Sequence, residues 1–210
     1  MKIVTGIDHL DTPSLFAAAR RRIILHAAVY GGFARSRPHR EGLEAALSKP
    51  EFERLDIIVI EPGCAEPWVR PFLDALRFGI STQAADDEVT LSHRFMSELA
   101  ERHPDKVRLH PARRLPCLPV VIADDTIVFG QYAHAGVHAP QGFWGMIQAD
   151  VRTLLAWTSA GKPPHSAGDE EVAAFRLVNE CARAMCACRC LSPFPTRHLD
   201  HRETPANATP

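Results

Sequence analysis

The sequence predicts an α/β fold in three layers: a mixed, mostly parallel sheet with helices on both faces and a β-hairpin at its edge. Three observations carry that expectation. Strand-like and helix-like apolar patterns alternate along the chain, and parallel strands need such crossover connections. LDIIVIEP, Leu55 to Pro62, holds four consecutive aliphatic residues, as a strand covered on both faces does. In PVVIADDTIVFGQY two apolar runs flank Asp124 and Asp125, short polar residues that tolerate the backbone of a tight turn.

The elements follow in order. KIVTG reads as a short strand, and DTPSLFAAARRR opens a helix with Asp11 or Thr12 as cap and Pro13 near its first position. IILHAAVY, Ile23 to Tyr30, has the length of a buried strand and is followed by glycines. REGLEAALSKP sets Leu43 and Leu47 four apart, and Pro50 ends the helix. Beyond the strand at Leu55, Trp68, Phe72, Leu73 and Leu76 recur at helical spacing, and Thr90 to His103 repeats the pattern with Leu91, Phe95, Met96 and Leu99. KVRLH supplies a strand before the hairpin. Two helices close the fold: MIQADVRTLLAWTSAG, ending on Gly161, and a C-terminal helix over about 168–190, whose acidic start suits the positive end of a helix.

Composition bounds the rest. A chain of 210 residues matches one domain with a core that needs no staples, here 1–191, followed by a flexible proline-rich polar tail at 192–210. Lysine and arginine (24) nearly balance aspartate and glutamate (25), so no global field draws nucleic acid or an anionic membrane, and any anion site must be local. The opening MKIVTGIDHLDTPSLF lacks the apolar stretch of a secretion signal, and no run approaches the roughly eighteen apolar residues of a bilayer span. A cytoplasmic protein without membrane contact is expected. Four of the six cysteines (Cys181, Cys186, Cys188, Cys190) crowd into one segment, unlike a secreted disulfide framework, so reduced thiols are expected.

The hairpin carries a resemblance. CLPVVIADDTIVFGQYA resembles the strand-turn-strand of the phospholipase D superfamily. Its signature is a histidine, a lysine two residues on, an aspartate five further, then glycine, serine or threonine, and asparagine on the returning strand. Asp124 takes the aspartate position and Gly130 falls near the glycine. Cys117 stands at the histidine position, Pro119 at the lysine, Gln131 at the hydroxyl residue and Ala133 at the asparagine. The resemblance implies that fold without the usual phosphodiesterase machinery, because proline and alanine cannot donate to an oxyanion. It also implies a homodimer, since single-motif members pair to complete a site.

Three functions are weighed on these residues. The first is a non-catalytic or altered module that binds a small anionic ligand or a partner. The glycines and arginines of YGGFARSRPHR supply its ligand residues Arg35, Arg37 and Arg40, with Tyr132 and His138 from the rim beyond the hairpin. The second is a hydrolase with His134, Asp124 and His26 as catalytic groups, His134 standing past a strand end where α/β sheets place ligands. The third is a metal-binding regulator using the terminal cysteines. Residues two apart on a helix point about 200° from each other, so Cys186, Cys188 and Cys190 cannot converge while helical, and neither metal nor cofactor is expected. Each candidate has a plainer reading as well. His134 can be a hydrogen-bonded structural histidine, Asp124 and Asp125 can bond nearby backbone amides, the aromatics can cover a core edge, and the basic loop can be solvated.

Overall fold

Alternation along the strands builds a core on each face of one sheet. The computed structural model describes residues 1–77, 79–134 and 137–186, and of Ala133, His134, Val137 and Ala139 the backbone alone. The expected tail, with Cys188 and Cys190, lies outside the described residues. Among these, the strands are β1 (Lys2–Thr5), β2 (Arg22–Ala28), β3 (Arg54–Val59), β4 (Val107–Pro111), β5 (Val120–Ala123), β6 (Thr126–Gly130), the short pair β7 (Ala133–His134) and β8 (Val137–His138), and β9 (Phe143–Gln148). The helices are α1 (Thr12–Ala18), α2 (Gly31–Arg35), α3 (Arg37–Leu47), α4 (Val69–Leu76), α5 (Thr82–Arg102), α6 (Val151–Ala160) and α7 (Asp169–Cys186).

The main sheet runs β1-β9-β6-β5-β2-β3-β4 and is open. β2 pairs with β3 and β3 with β4 in parallel, as their helical crossovers require; the other four pairings are antiparallel. Five strands therefore point one way, and β5 and β9 the other. On one face Ile23, Leu25, Leu55 and Ile57 meet Phe16 of α1, Leu43 of α3 and Met96 of α5. On the other, Ile24, Ile58, Val120 and Ile122 meet Phe72 of α4, Leu154 of α6 and Val178 of α7. The mixed α/β sheet with helices on both faces agrees with the sequence. Only two of its six pairings are parallel, so it is not the mostly parallel sheet expected, because β5, β6 and β9 follow one another through short returns and not helical crossovers.

Details differ. The hairpin β5-β6 lies at the centre of the sheet, not at its edge, because Phe143–Gln148 forms a further strand that pairs along β6. The helix expected from Met146 begins only at Val151, where the Asp150 carboxylate accepts the Thr153 amide at 3.0 Å. β1 pairs antiparallel with β9 at one edge of the sheet. YGGFARSRPHR is no loop: α2 and α3 meet at Ser36, and Pro38 stands in the first turn of α3, where a missing amide costs nothing. α5 starts at Thr82, capped by Ser81, well before Thr90.

Candidate functional site

The strand directions put one set of chain ends on a common rim. β2, β3 and β4 end there, the chain enters β5 there through 112–119, and it leaves β6 there for the β7-β8 segment and β9. Ligands of open α/β sheets bind outside such carboxyl ends, where loops diverge and backbone groups are free. The sheet divides this rim in two.

On the face of α1, α3 and α5 lies a cleft of about 490 Å³, within the range of small-molecule sites. Its walls are largely apolar, with Phe33, Leu76, Ile80 and Trp144 among them. Its charged residues are two acids, Asp8 and Glu88, and two arginines, Arg35 and Arg77. Arg77 grips Glu88 through two nitrogens at 2.6 and 2.7 Å. Arg35 reaches the same carboxylate by one contact of 3.3 Å, and its side chain is 59% exposed. Burial favours a neutral Glu88, but its bonds to Arg77 and the charge of Arg35 prevail and hold its carboxyl below the usual range. Gly31 makes room for Glu88, since a Cβ there would stand 2.6 Å from the Glu88 Cγ. His39 stacks on Phe33 with ring centroids 4.5 Å apart and bonds Ser36 and Thr12, so it is fixed on the wall. Tyr132 packs edge-on against Phe72 at 4.9 Å, and burial pushes its phenol well up. His138 and Pro119 complete the opening.

On the opposite face, His26 points away from that cleft because it shares the parity of Ile24 on β2. It is 2% exposed. Nδ1 donates to the Leu118 carbonyl at 3.3 Å, since a carbonyl only accepts, and Nε2 lies 3.9 Å from Glu180. Burial holds its pKa below the usual value against the pull of Glu180, which favours neutral imidazole.

Asp124 sits at the other rim. Its carboxylate accepts the amides of Arg20, Arg21 and Arg22 at 2.8, 2.9 and 2.9 Å, and the residue adopts φ 48°. Asp125 pairs with Arg21 and caps α6 through the Val151 amide. His26 pairs across β5 with Val120 and Ile23 with Ala123, so the run of β2 separates Asp124 from His26, by about 13 Å at 3.3 Å per residue. A base must touch the proton it moves, and these two do not share a cleft. The His134 side chain lies outside the described residues.

Of the expected ligand residues, Arg35, Tyr132 and His138 line the larger cleft. Arg37 and Arg40 do not. They stand on the outer side of α3 beside Glu41, Glu44 and Arg102, where Arg37 pairs with Glu41 at 2.7 Å. Sequence reasoning missed Glu88, Arg77 and Glu180, which reach the rim from distant helices. Among the described residues no group of three histidine, cysteine, aspartate or glutamate side chains is placed to hold a metal ion, and no helix is long and apolar enough to cross a membrane.

No protein-family model matches the chain, and no curated protein matches it in sequence. Similar solved structures include TrmBL2, an archaeal chromatin protein described as showing a novel mode of DNA binding, at 14% identity over 76% of this chain and 47% of that one, with a TM-score of 0.41. Phosphatidylserine synthase of Haemophilus influenzae Rd KW20 is similar at 13% identity over 85% of this chain and 43% of that one, also with a TM-score of 0.41. This chain spans less than half the length of either protein.

Proposed function

We propose that the chain is a phospholipase D-like module that has given up phosphodiester hydrolysis and binds a small organic anion in the cleft of Arg35. The kinship rests on the motif resemblance. Position by position, the residues that would attack or hold a phosphodiester are a cysteine, a proline, a glutamine and an alanine. The aspartate that remains is consumed by three backbone amides at the far rim.

Binding rests on one observation. Arg35 stands half-exposed at an apolar cleft and shares, through a single contact, a carboxylate that Arg77 already neutralises by two. A carboxylate or phosphate head can therefore engage Arg35 without stripping Glu88 of its partner. Phe33, Leu76 and Trp144 suit an apolar body behind that head.

A panel of aliphatic and aromatic carboxylates and phosphomonoesters, screened by thermal shift and followed by calorimetry, tests the reading. Arg35→Ala should weaken the best ligand about tenfold to a hundredfold, as losing a hydrogen bond to a charged group does. Generic phosphodiesters should not turn over. A panel without a single binder, or an Arg35→Ala protein that binds equally well, would refute the proposal.

A further inference from the structure

A smaller cavity of about 230 Å³ opens on the α7 face of the same rim. His26 is its floor. Three arginines line it: Arg113 and Arg114, from the segment after β4, and Arg183, from the last turn of α7. Against three cations stands one carboxylate, Glu180, whose Oε1 accepts the Cys117 amide at 3.1 Å. Arg113 meets Glu61 only at 3.9 Å and across open surface, where an ion pair contributes little. Arg183 also offsets the negative end of α7, but that reason does not extend to Arg113 and Arg114. The floor is strained as well. The pairing of β2 with β3 shifts between His26 and Ala28, and the buried Ala28 adopts φ 62°. Bulges and left-handed non-glycine residues cluster where a fold aims a side chain at a ligand.

We infer that this cavity is a second site, separate from the cleft of Arg35, for a small oxoanion such as a sulfate or phosphate group, and that its occupation delivers a proton to His26. The groups facing His26 are Glu180 from α7, the Cys117 thiol and Leu118 carbonyl from the entering segment, and the Tyr132 hydroxyl, which lies 3.4 Å from the His26 backbone carbonyl. Arg183, Arg113 and Arg114 line the same cavity. Burial favours the neutral ring, in which Nδ1 donates to Leu118 and Nε2, 3.9 Å from Glu180, carries no proton. An anion seated among the arginines favours the imidazolium, whose Nε2 then donates. Anion affinity must rise as pH falls, because the occupied state binds the extra proton.

Calorimetric titration of the full chain with sodium sulfate, between about pH 5.5 and 8, tests this; sulfate holds its charge over that window, so any pH dependence belongs to the protein. Tightening by several-fold per pH unit is expected, with about tenfold the ceiling for one proton. Repeating the titration in buffers of different ionisation enthalpy should show uptake of up to one proton by the unaltered protein. Arg183→Ala, an exposed change, should weaken sulfate at least about tenfold, while Arg35→Ala leaves it unchanged. His26→Gln should bind sulfate without pH dependence. Absence of sulfate binding, equal binding by the Arg183→Ala protein, or binding without proton uptake would each overturn the inference. The proton count needs no variant, so it decides even where His26→Gln does not fold. Loss of sulfate binding in Arg35→Ala would instead place the anion in the larger cleft.

Discussion

Asp124→Ala separates a structural aspartate from a catalytic one. The carboxylate of Asp124 accepts three amides, at 2.8, 2.9 and 2.9 Å, and so ties the β5-β6 turn to the start of β2. A hydrogen bond to a charged group contributes about 1.5–3 kcal/mol, but these amides lie near the surface, and water replaces part of what is lost. Alanine must also hold the left-handed backbone of φ 48°, at a cost of about 1 kcal/mol more than a short polar residue. Together these give a destabilisation of about 2–4 kcal/mol. Asp124→Asn keeps one carbonyl acceptor for Arg21 and Arg22 and turns an amide toward the Arg20 donor, so about half that loss is expected.

Urea unfolding at neutral pH measures the difference, with an unchanged slope showing that stability and not compactness has moved. The pH dependence adds a check. Burial works to raise the Asp124 pKa, yet the amides of Arg22, Arg20 and Arg21 and the charge of Arg21 outweigh it and hold the carboxyl below its usual range. A group depressed in the folded state contributes fully above its unfolded pKa, about 4, and loses that contribution as pH falls through the folded value. The gap between wild type and Asp124→Ala should therefore stay constant from pH 8 to about 5 and close only in acid. A loss under about 0.5 kcal/mol, within the range of an ordinary surface change, would refute the reasoning. Intact stability with altered ligand affinity would refute it too.

Two further outcomes follow from the same reading. Asp56, 1% exposed on β3, bonds Arg54 at 3.0 Å and His110 at 2.9 Å, and Asp56→Asn should cost about 3 kcal/mol. For a chain of this size that lowers the melting temperature by roughly 6–12 °C, and a shift under about 2 °C counts against a buried ionic cluster. Ala28→Gly should reverse the usual sign. A left-handed alanine costs about 1–2 kcal/mol and added chain entropy about 0.5–1 kcal/mol, so stability should stay level or rise by up to about 1 kcal/mol, with a clear loss in urea unfolding counting against the strain.

The fold class was legible because the strongest patterns belong to the sheet interior. The run Ile57 to Ile60 is buried on both faces, and the alternation of elements fixes where crossovers lie. The hairpin was legible too, since Asp124 and Asp125 interrupt two apolar runs. Its place in the sheet was not. β9 reads FWGMIQ, in which Gly145 clears space for the Phe129 ring, and a Cβ there would come within 2.6 Å of it. That glycine breaks the alternation that marks a strand, and Met146 and Ile147 then merge with the helical pattern beyond them. Asp150 with Thr153 was the signal that could have set the boundary.

The rim was less legible, for a reason of distance. Arg35, Arg37 and Arg40 look alike in sequence, yet the break between α2 and α3 at Ser36 sends the first into the cleft and the others to the outer face of α3. Glu88 meets Arg35 from another helix, and Glu180 meets His26 from the last one. Arginines beside prolines, as in PARRLP, carry no periodicity to separate a cavity wall from a solvated segment.

One strand decides how the two cavities relate. Successive residues of β2 point to opposite faces, so His26 and Ala28 border the smaller cavity, whereas Ala27 and Val29 border the larger. The pairing with β3 shifts by one residue at Ala27, where His26 meets Ile58 and Ala28 meets Val59, a bulge at the strand's end. The buried Tyr30 ties it down: its hydroxyl accepts the Ala27 amide and shares its one proton between the carbonyls of Leu25 and Ile58, at 2.8 and 2.6 Å. With such a divider, the anion proposed on one face would change the charge of His26 without direct contact with Arg35 on the other. The nearest path between the sites is Tyr132, which lines the larger cleft and places its hydroxyl 3.4 Å from the His26 carbonyl. If anions bind at both proposed sites, the position of that phenol is the contact through which one would influence the other.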